Sequence, residues 1–157
     1  GSRTFVVEVQ ALVVPAKSGY QRIYSDKIEL SRVNRISAIL ERHAGLDLSG
    51  DDIYINVAGG MKIKDGSVEL AVALALYSSK TDIPLSSSLA SFGELSLAGE
   101  VRPVTFSQRR LRTLTEMGFS KTIVSIGTEK VGGSQSENVK DVRSAVIAAF
   151  KGRKKSK

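Results

Sequence analysis

Hydrophobic and polar positions follow each other along this chain in patterns that predict both helices and strands. The longest apolar run, residues 70–77, is polar only at the Tyr77 hydroxyl and is mostly Ala and Leu, which favour helix. A helix that is apolar all round must be covered on more than one side, and this run is far shorter than the roughly 20 residues that cross a bilayer. The pattern predicts a central buried helix that starts at Ser67, as its N-cap, and ends near residue 79.

Three further stretches have the periodicity of amphipathic helices. They cover residues 31–43, 107–117 and 138–150, and Ser31, Gly45 and Gly118 mark ends of the first two. The positions predicted to face the core are Val33, Ile36, Ile39, Leu40, Leu111, Leu114, Val142, Ala145, Val146 and Ala149.

Runs rich in β-branched residues predict the strands. They are residues 5–14, 20–24 as an antiparallel partner of the first strand, 51–58, a short strand at 61–64, a hairpin of 90–97 with 100–104, and 121–125. Residues 127–135 are rich in Gly and Ser and predict a mobile loop. Strands and helices that alternate in this order predict an α/β (α+β) fold in which helices pack on a mixed sheet.

Composition limits the classes of function. The chain has 157 residues, a net charge of +7, no cysteine and one histidine. Residues 3–150 are the size of one domain, and Gly1 and Ser2 are interpreted as a cloning scar. The last seven residues hold five Lys or Arg and no acid, which predicts a disordered basic tail at 151–157 that is either a polyanion-binding segment or simply solvated. Neither a membrane span nor a signal peptide is indicated.

Two single residues allow competing interpretations. Ser67 is either a helix cap or a nucleophile at a helix N-terminus, where free N–H groups favour developing negative charge. His43 lies at a predicted helix C-terminus just before Gly45, where an imidazole suits the helix dipole better than a catalytic role.

Several segments resemble the Lon-protease-like domain at the C-terminus of bacterial DNA repair proteins of the RadA family. They are residues 7–13, 57–60, 65–67, 116–119 and, most specifically, 92–104 with the sequence Phe-Gly-Glu-Leu-Ser-Leu-Ala-Gly-Glu-Val-Arg-Pro-Val. The resemblance implies the fold shared with ribosomal protein S5 domain 2. It also places Ser67 at the position of the Lon catalytic serine and Gln108 at the position of the lysine that deprotonates it.

Gln108 argues against proteolysis, because an amide is not a base near neutral pH and a serine hydroxyl needs an adjacent base. Arg109 and Arg110 cannot replace the lysine, since a guanidinium does not lose its proton in proteins. Glu69 would also place negative charge near an oxyanion. A rearranged dyad that uses Lys62 or Lys64 stays open. We therefore expect no catalytic residues, with Ser67 and Gln108 as vestiges, although enzymatic status is uncertain.

The resemblance implies an assembly and DNA-binding platform of a repair ATPase. The expected partners are single-stranded or branched DNA and further copies of the chain, in a hexameric ring, within the cytoplasm at the nucleoid and without a membrane. No cofactor is expected in this fragment, whereas ATP with Mg²⁺, and Zn²⁺, are expected in an N-terminal part. The basic residues proposed to contact phosphates, or alternatively to form only a solvated face, are Arg102, Arg109, Arg110, Arg112, Lys62 and Lys64.

Two alternatives are kept. The chain is an active Ser-Lys peptidase domain, or it is the Lon-like domain of a different ATPase, of the ComM or magnesium-chelatase type.

Overall fold

The computed structural model describes residues 5–58 and 64–156. Within them lie eight strands and four α-helices, in a mixed α/β arrangement that confirms the predicted class. The strands are β1 (Val9–Pro15), β2 (Arg22–Ser25), β3 (Asp51–Val57), β4 (Leu89–Phe92), β5 (Glu94–Leu95), β6 (Val101–Arg102), β7 (Lys121–Ser125) and β8 (Ser136–Val139). The helices are α1 (Leu30–Ala44), α2 (Glu69–Thr81), α3 (Ser107–Glu116) and α4 (Val142–Phe150), and a 3₁₀ turn at Gly66–Val68 leads into α2.

The first sheet has the order β1-β3-β2. The sequence prediction that β2 pairs antiparallel with β1 is wrong, because β2 pairs with β3 and runs parallel to it. β3 lies in the centre and buries Ile53, Ile55 and Val57 on one face. The Ala16 amide donates to the Gly50 carbonyl oxygen across 2.9 Å, so the chain leaves β1 beside the start of β3 and does not fold back on β1 in a tight hairpin.

The remaining strands form a parallel sheet, β4-β7-β8, and a two-stranded ribbon, β5-β6. The ribbon is the inner part of the predicted hairpin, and its turn contains Gly99 at a φ of 80°. The rest of that prediction is wrong, because residues 90–92 belong to β4 and pair with β7. The sequence pattern does not predict β8, and residues 138 and 139 belong to this strand although the pattern assigns them to the last helix. That helix begins at Val142 because the Asp141 carboxylate caps it, accepting from the Ser144 amide across 2.7 Å.

Helix α2 is the centre of the core, as its apolar run predicts. It packs against β1, β4, α1 and α4. Every residue from Leu70 to Leu76 is buried except Ala71, which is partly exposed. All ten core positions predicted for the other three helices are buried too. A helix covered on several sides can stay apolar all round, since burial in the protein replaces the solvated face of an ordinary helix.

Two predicted helix caps are wrong. Asp65, and not Ser67, caps the entrance to α2, because its carboxylate accepts from the Ser67 amide across 2.9 Å. Ser31 lies inside α1, which begins after Glu29 without a side-chain cap. At the other end of α1 the prediction is confirmed, since Gly45 adopts a left-handed φ of 68° and its amide bonds to the Leu40 carbonyl.

Some predictions concern residues that the structure does not describe. These are the scar at 1–2, the bend at 59–60, most of the short strand at 61–64, Lys62 and the final residue 157. In the tail, the Ser156 amide donates to the Asp82 carbonyl oxygen across 2.7 Å, and Arg153 donates to the Pro84 carbonyl oxygen. Over the described ranges, the helices are too short or too polar to pass through a membrane.

Candidate functional site

The turn before α2 is held between the hairpin and α3. The Gly93 amide donates to the Ser67 carbonyl oxygen across 2.9 Å, and the Leu70 amide donates to the Gly93 carbonyl oxygen across 3.0 Å. A Cβ atom at Gly93 would lie 2.5 Å from Val101 and would also meet Leu70. The glycine in the Phe-Gly-Glu segment therefore leaves room for the Val101 side chain of β6, whereas the contact with Leu70 of α2, at 3.5 Å, would be an ordinary one.

Ser67 is buried, with 8% of its surface exposed, and its hydroxyl is bonded to Arg110 of α3. Arg110 Nη1 donates to Ser67 Oγ across 2.9 Å, Nη2 pairs with Asp65 Oδ2 at 3.1 Å, and Nε donates to the Thr105 carbonyl oxygen across 2.9 Å. All three guanidinium nitrogens are thus engaged by the turn before α2 and the loop before α3. Phe106, which precedes α3 at a left-handed φ of 57°, helps to turn the chain so that Arg110 reaches back to Thr105.

The Asp65 carboxyl is ionised more readily than an ordinary one. Its partial burial opposes ionisation, but hydrogen bonds from the Ser67 amide and hydroxyl and the nearby Arg110 guanidinium outweigh burial and lower the pKa of Asp65. A carboxylate with a lowered pKa is a weak base. The Ser67 hydroxyl thus lies between a guanidinium that cannot take a proton and a carboxylate that holds one poorly.

The amide groups at the start of α2 are occupied. The Ser67 amide donates to Asp65 Oδ1, the Val68 amide to the Asp65 carbonyl, the Glu69 amide to the Gly66 carbonyl and the Leu70 amide to the Gly93 carbonyl. An oxyanion hole requires amide donors that point at the position where charge develops. These four donors all have partners within the fold.

Glu69 is a structural residue in an ionic cluster. It is 2% exposed, and its Oε2 lies 2.5 Å from Arg35 Nη2 and 3.3 Å from Arg32 Nη2, both on α1. Its Oε1 accepts from the Leu95 amide across 3.0 Å, while Arg35 Nη1 donates to the Leu95 carbonyl across 3.2 Å. The cluster joins α1, α2 and β5. The sequence marks Glu69 only as unfavourable for acyl transfer and does not reveal this role, although a lone charge at the start of an apolar run indicates a buried partner.

The other predicted site residues are divided between a groove and the surface. Lys64, Ser67, Arg109 and Arg110 line one groove of about 1030 Å³, which has an apolar floor from α2 and β4. Gln108, Arg102 and Arg112 are exposed and do not line it. The Arg109 guanidinium lies 4.9 Å from the centre of the Phe106 ring. Lys62 lies outside the described residues.

His43 lies in the last turn of α1, away from this groove, and its Nε2 is 2.9 Å from the Leu97 carbonyl oxygen. Over residues 5–58 and 64–156, no three His, Asp or Glu side chains are grouped closely enough to hold a metal ion.

Comparison with known proteins identifies relatives over most of the chain. The family model described as subunit ChlI of Mg-chelatase matches residues 24–128. The DNA repair protein RadA of Treponema pallidum is 48% identical over 129 residues, which are 82% of this chain and 28% of the relative. RadA of Escherichia coli is 40% identical over 79% of this chain and 27% of the relative. RadA of Aquifex aeolicus is 34% identical over 96% of this chain and 34% of the relative. The chain thus spans about a third or less of the length of these relatives.

Proposed function

From the premise that this chain belongs to the ChlI family and is of the RadA type, we propose that it is a non-proteolytic, Lon-protease-like domain that binds DNA and self-associates. The Arg110–Ser67 hydrogen bond is the observation that carries the non-proteolytic assignment. It supports this role because the serine is bonded to a group that cannot act as its base. The occupied amide donors at residues 67–70 support it independently, since a tetrahedral intermediate would find no vacant donor among them.

The DNA-binding role belongs to the exposed arginines of β6 and α3. Arg102, Arg109 and Arg112 are exposed, and a guanidinium at the surface can pair with a phosphate and release its counterions. Arg110 is removed from the predicted set because its guanidinium already serves Ser67, Asp65 and Thr105. Lys64 is exposed at the groove and stays in the set. The relatives that support this role are named as DNA repair proteins.

The rest of the proposed function concerns the longer protein. The relatives are about three times as long as the matched part or longer, which leaves room for the expected zinc site and Mg²⁺-dependent ATPase site in segments outside this chain. This domain would assemble copies of that protein into a hexameric ring at branched or single-stranded DNA, in the nucleoid region of the cytoplasm. The ChlI match is the observation that favours the second candidate, a magnesium-chelatase-type ATPase, although the curated relatives at 34–48% identity favour the RadA type.

Fluorescence anisotropy with labelled branched and single-stranded oligonucleotides tests the DNA-binding role. We expect the paired substitution Arg109→Ala with Arg112→Ala to weaken binding and to make the salt dependence less steep, by about 0.7–0.9 in the slope of log K against log salt for each phosphate that is no longer neutralised. The matched control is Arg42→Ala with Lys130→Ala, which removes the same charge from exposed positions elsewhere. Equal weakening by both pairs would reject the proposed surface, because only overall charge would then matter.

Sedimentation velocity tests the self-association. We expect the chain to sediment as species larger than a monomer at micromolar concentration. A strictly monomeric chain at all concentrations, with and without DNA, would contradict the assembly role.

A further inference from the structure

The outward face of the first sheet carries aromatic side chains where a solvated sheet normally carries polar ones. Tyr54 on central strand β3 lies in register with Leu12 on β1 and Tyr24 on β2. These three side chains are 41%, 53% and 45% exposed, whereas Ile53 and Ile55, on the opposite face of β3, are in the core. Strand periodicity alone therefore brings a row of large side chains into solvent across all three strands.

The two tyrosines of this row are stacked on each other. Their ring centroids are 4.7 Å apart and their planes differ by 11°. Stacking covers one face of each ring and leaves the other face and the exposed edges as an aromatic platform, and the cost of ordering the two rings has been met before any ligand arrives.

A cation and two amides border the platform. The Arg22 guanidinium, on the same strand as Tyr24, lies 5.6 Å from the centre of the Tyr20 ring, which is itself 61% exposed. On the other side, Asn56 Nδ2 donates to Gln10 Oε1 across 3.4 Å. The nearest carboxylate in register with Arg22 is that of Asp52, which is only partly exposed. We call Tyr20, Arg22, Tyr24 and Tyr54 the tyrosine face.

We propose that the tyrosine face binds single-stranded nucleic acid by stacking unpaired bases on Tyr24 and Tyr54. The exposed rings can stack on the plane of a base, the arginine can pair with a phosphate, and the amide side chains can hydrogen-bond to the edge of a base. The Arg22 guanidinium supplies a positive charge at this face, which suits the phosphates of a polyanion. The inference rests on the proposed function only in taking DNA as the partner, because it uses none of the α3 arginines.

A comparison of two oligonucleotides isolates stacking from phosphate contacts. One is a 12-nucleotide thymidine strand, and the other is an abasic strand with the same number of phosphates. We expect Tyr24→Val with Tyr54→Val to weaken binding of the thymidine strand about tenfold or more and to leave binding of the abasic strand unchanged. Valine suits a strand, so the fold should be retained. Tyr24→Phe with Tyr54→Phe is the matched control, which keeps both rings and should bind like the wild type.

A second measurement does not depend on the valine variant folding. The chain has four tyrosines and no tryptophan, so its emission reports on tyrosine alone. The thymidine strand should quench this emission more strongly than the abasic strand does, and the Tyr24→Phe with Tyr54→Phe variant should lose most of that difference.

The outcomes separate this inference from the proposed function. Unchanged thymidine-strand affinity in the folded valine variant, or equal quenching by both strands, would overturn the tyrosine face as a stacking site. The proposed function would survive that result if the α3 arginine variants still weakened binding. If the valine variant lost only self-association, the face would be a contact between copies of the chain and the inference would be wrong.

Discussion

Arg110 donates a hydrogen bond to the Ser67 hydroxyl across 2.9 Å, so the hydroxyl that the Lon resemblance aligns with a catalytic serine is bonded to a group that cannot act as its base. The bond gives Ser67 a structural role, since Ser67 and Asp65 together anchor α3 against the start of α2. It also engages a lone pair of the serine oxygen with a donor, which is unfavourable for attack on a carbonyl.

A lysine placed at position 108 should not produce proteolysis. We expect wild type, Gln108→Lys and Ser67→Ala to cleave labelled casein at the same background rate, because Arg110 still occupies the serine and the amides at 67–70 stay engaged. Gln108 is also exposed and outside the groove. Cleavage by Gln108→Lys that disappears when Ser67→Ala is added would show that the groove is still competent.

The ionic cluster around Glu69 should be essential for stability. Removing its carboxylate leaves Arg32 and Arg35 beside a buried void and the Leu95 amide without an acceptor. We expect Glu69→Ala to lower the free energy of unfolding by about 3 kcal/mol, in line with a broken buried ion pair whose cations are partly exposed. Urea denaturation measures this change.

The conservative variant separates charge from hydrogen bonding in that cluster. Glu69→Gln keeps an oxygen that can accept from the Leu95 amide, so its loss of stability should be clearly smaller than that of Glu69→Ala. A Glu69→Ala cost below about 1 kcal/mol would mean that the cluster contributes little beyond solvated surface pairs.

The local pattern of apolar residues predicts the helices well, but it does not predict which strands pair with each other across long distances in the sequence. The stripe from Val33 to Leu40 follows from burial of one helix face, which is a local property. The partner of β2 depends on where the chain turns after Pro15, and that turn is fixed by the distant Gly50. The pattern misses β8 because the first three residues of this strand are polar or charged and only Val139 is buried. The specific Lon-protease-like fold stays a prediction from the resemblance.

The sequence locates the candidate site but does not give its bonding. The register with Lon proteases points to Ser67, and the structure places Ser67 in the groove with Arg110. Which arginine reaches Ser67 depends on the left-handed backbone conformation of Phe106, and nothing in the sequence around Phe106 predicts that conformation. The DNA-binding residues, the domain limits and the cofactors of the longer protein stay predictions.

Stability should fall in acid partly through Asp65. The pKa of Asp65 is lowered in the folded chain, so its ionised form contributes stability that is fully present above the unfolded value of about 3.9. That contribution is lost as the pH falls through the lower, folded pKa. We expect the melting temperature of Asp65→Asn to be below that of wild type at pH 7 and the gap to close below about pH 4. Asparagine is an equally good N-cap through its single oxygen, so the comparison reports the loss of the negative charge together with the second oxygen that pairs with Arg110. A gap that stayed constant down to about pH 2.5 would exclude Asp65 as a source of acid sensitivity.

Substitution of Gly99 in the β5-β6 turn should lower the free energy of unfolding for two separate reasons. Its φ is 80°, and a Cβ atom there would lie 2.6 Å from Cγ of the His43 ring. A left-handed non-glycine residue costs about 1–2 kcal/mol, and forcing a methyl group into a packed contact costs about 1–3 kcal/mol more. We expect Gly99→Ala to lower the free energy of unfolding by about 3 kcal/mol in urea denaturation.

Gly118 and His43 separate the two costs of that substitution. Gly118 has a φ of 92°, but a Cβ atom added there would have nothing within 4 Å, so Gly118→Ala should cost only the backbone part, about 1–2 kcal/mol. In a His43→Ala background the ring is gone but the Cβ atom of residue 43, 2.9 Å away, remains, so Gly99→Ala should cost less than in the wild-type background and still more than Gly118→Ala. If Gly99→Ala and Gly118→Ala were equally costly in the wild-type background, the contact between the turn and the end of α1 would be looser than the structure indicates, because the imidazole would be moving aside.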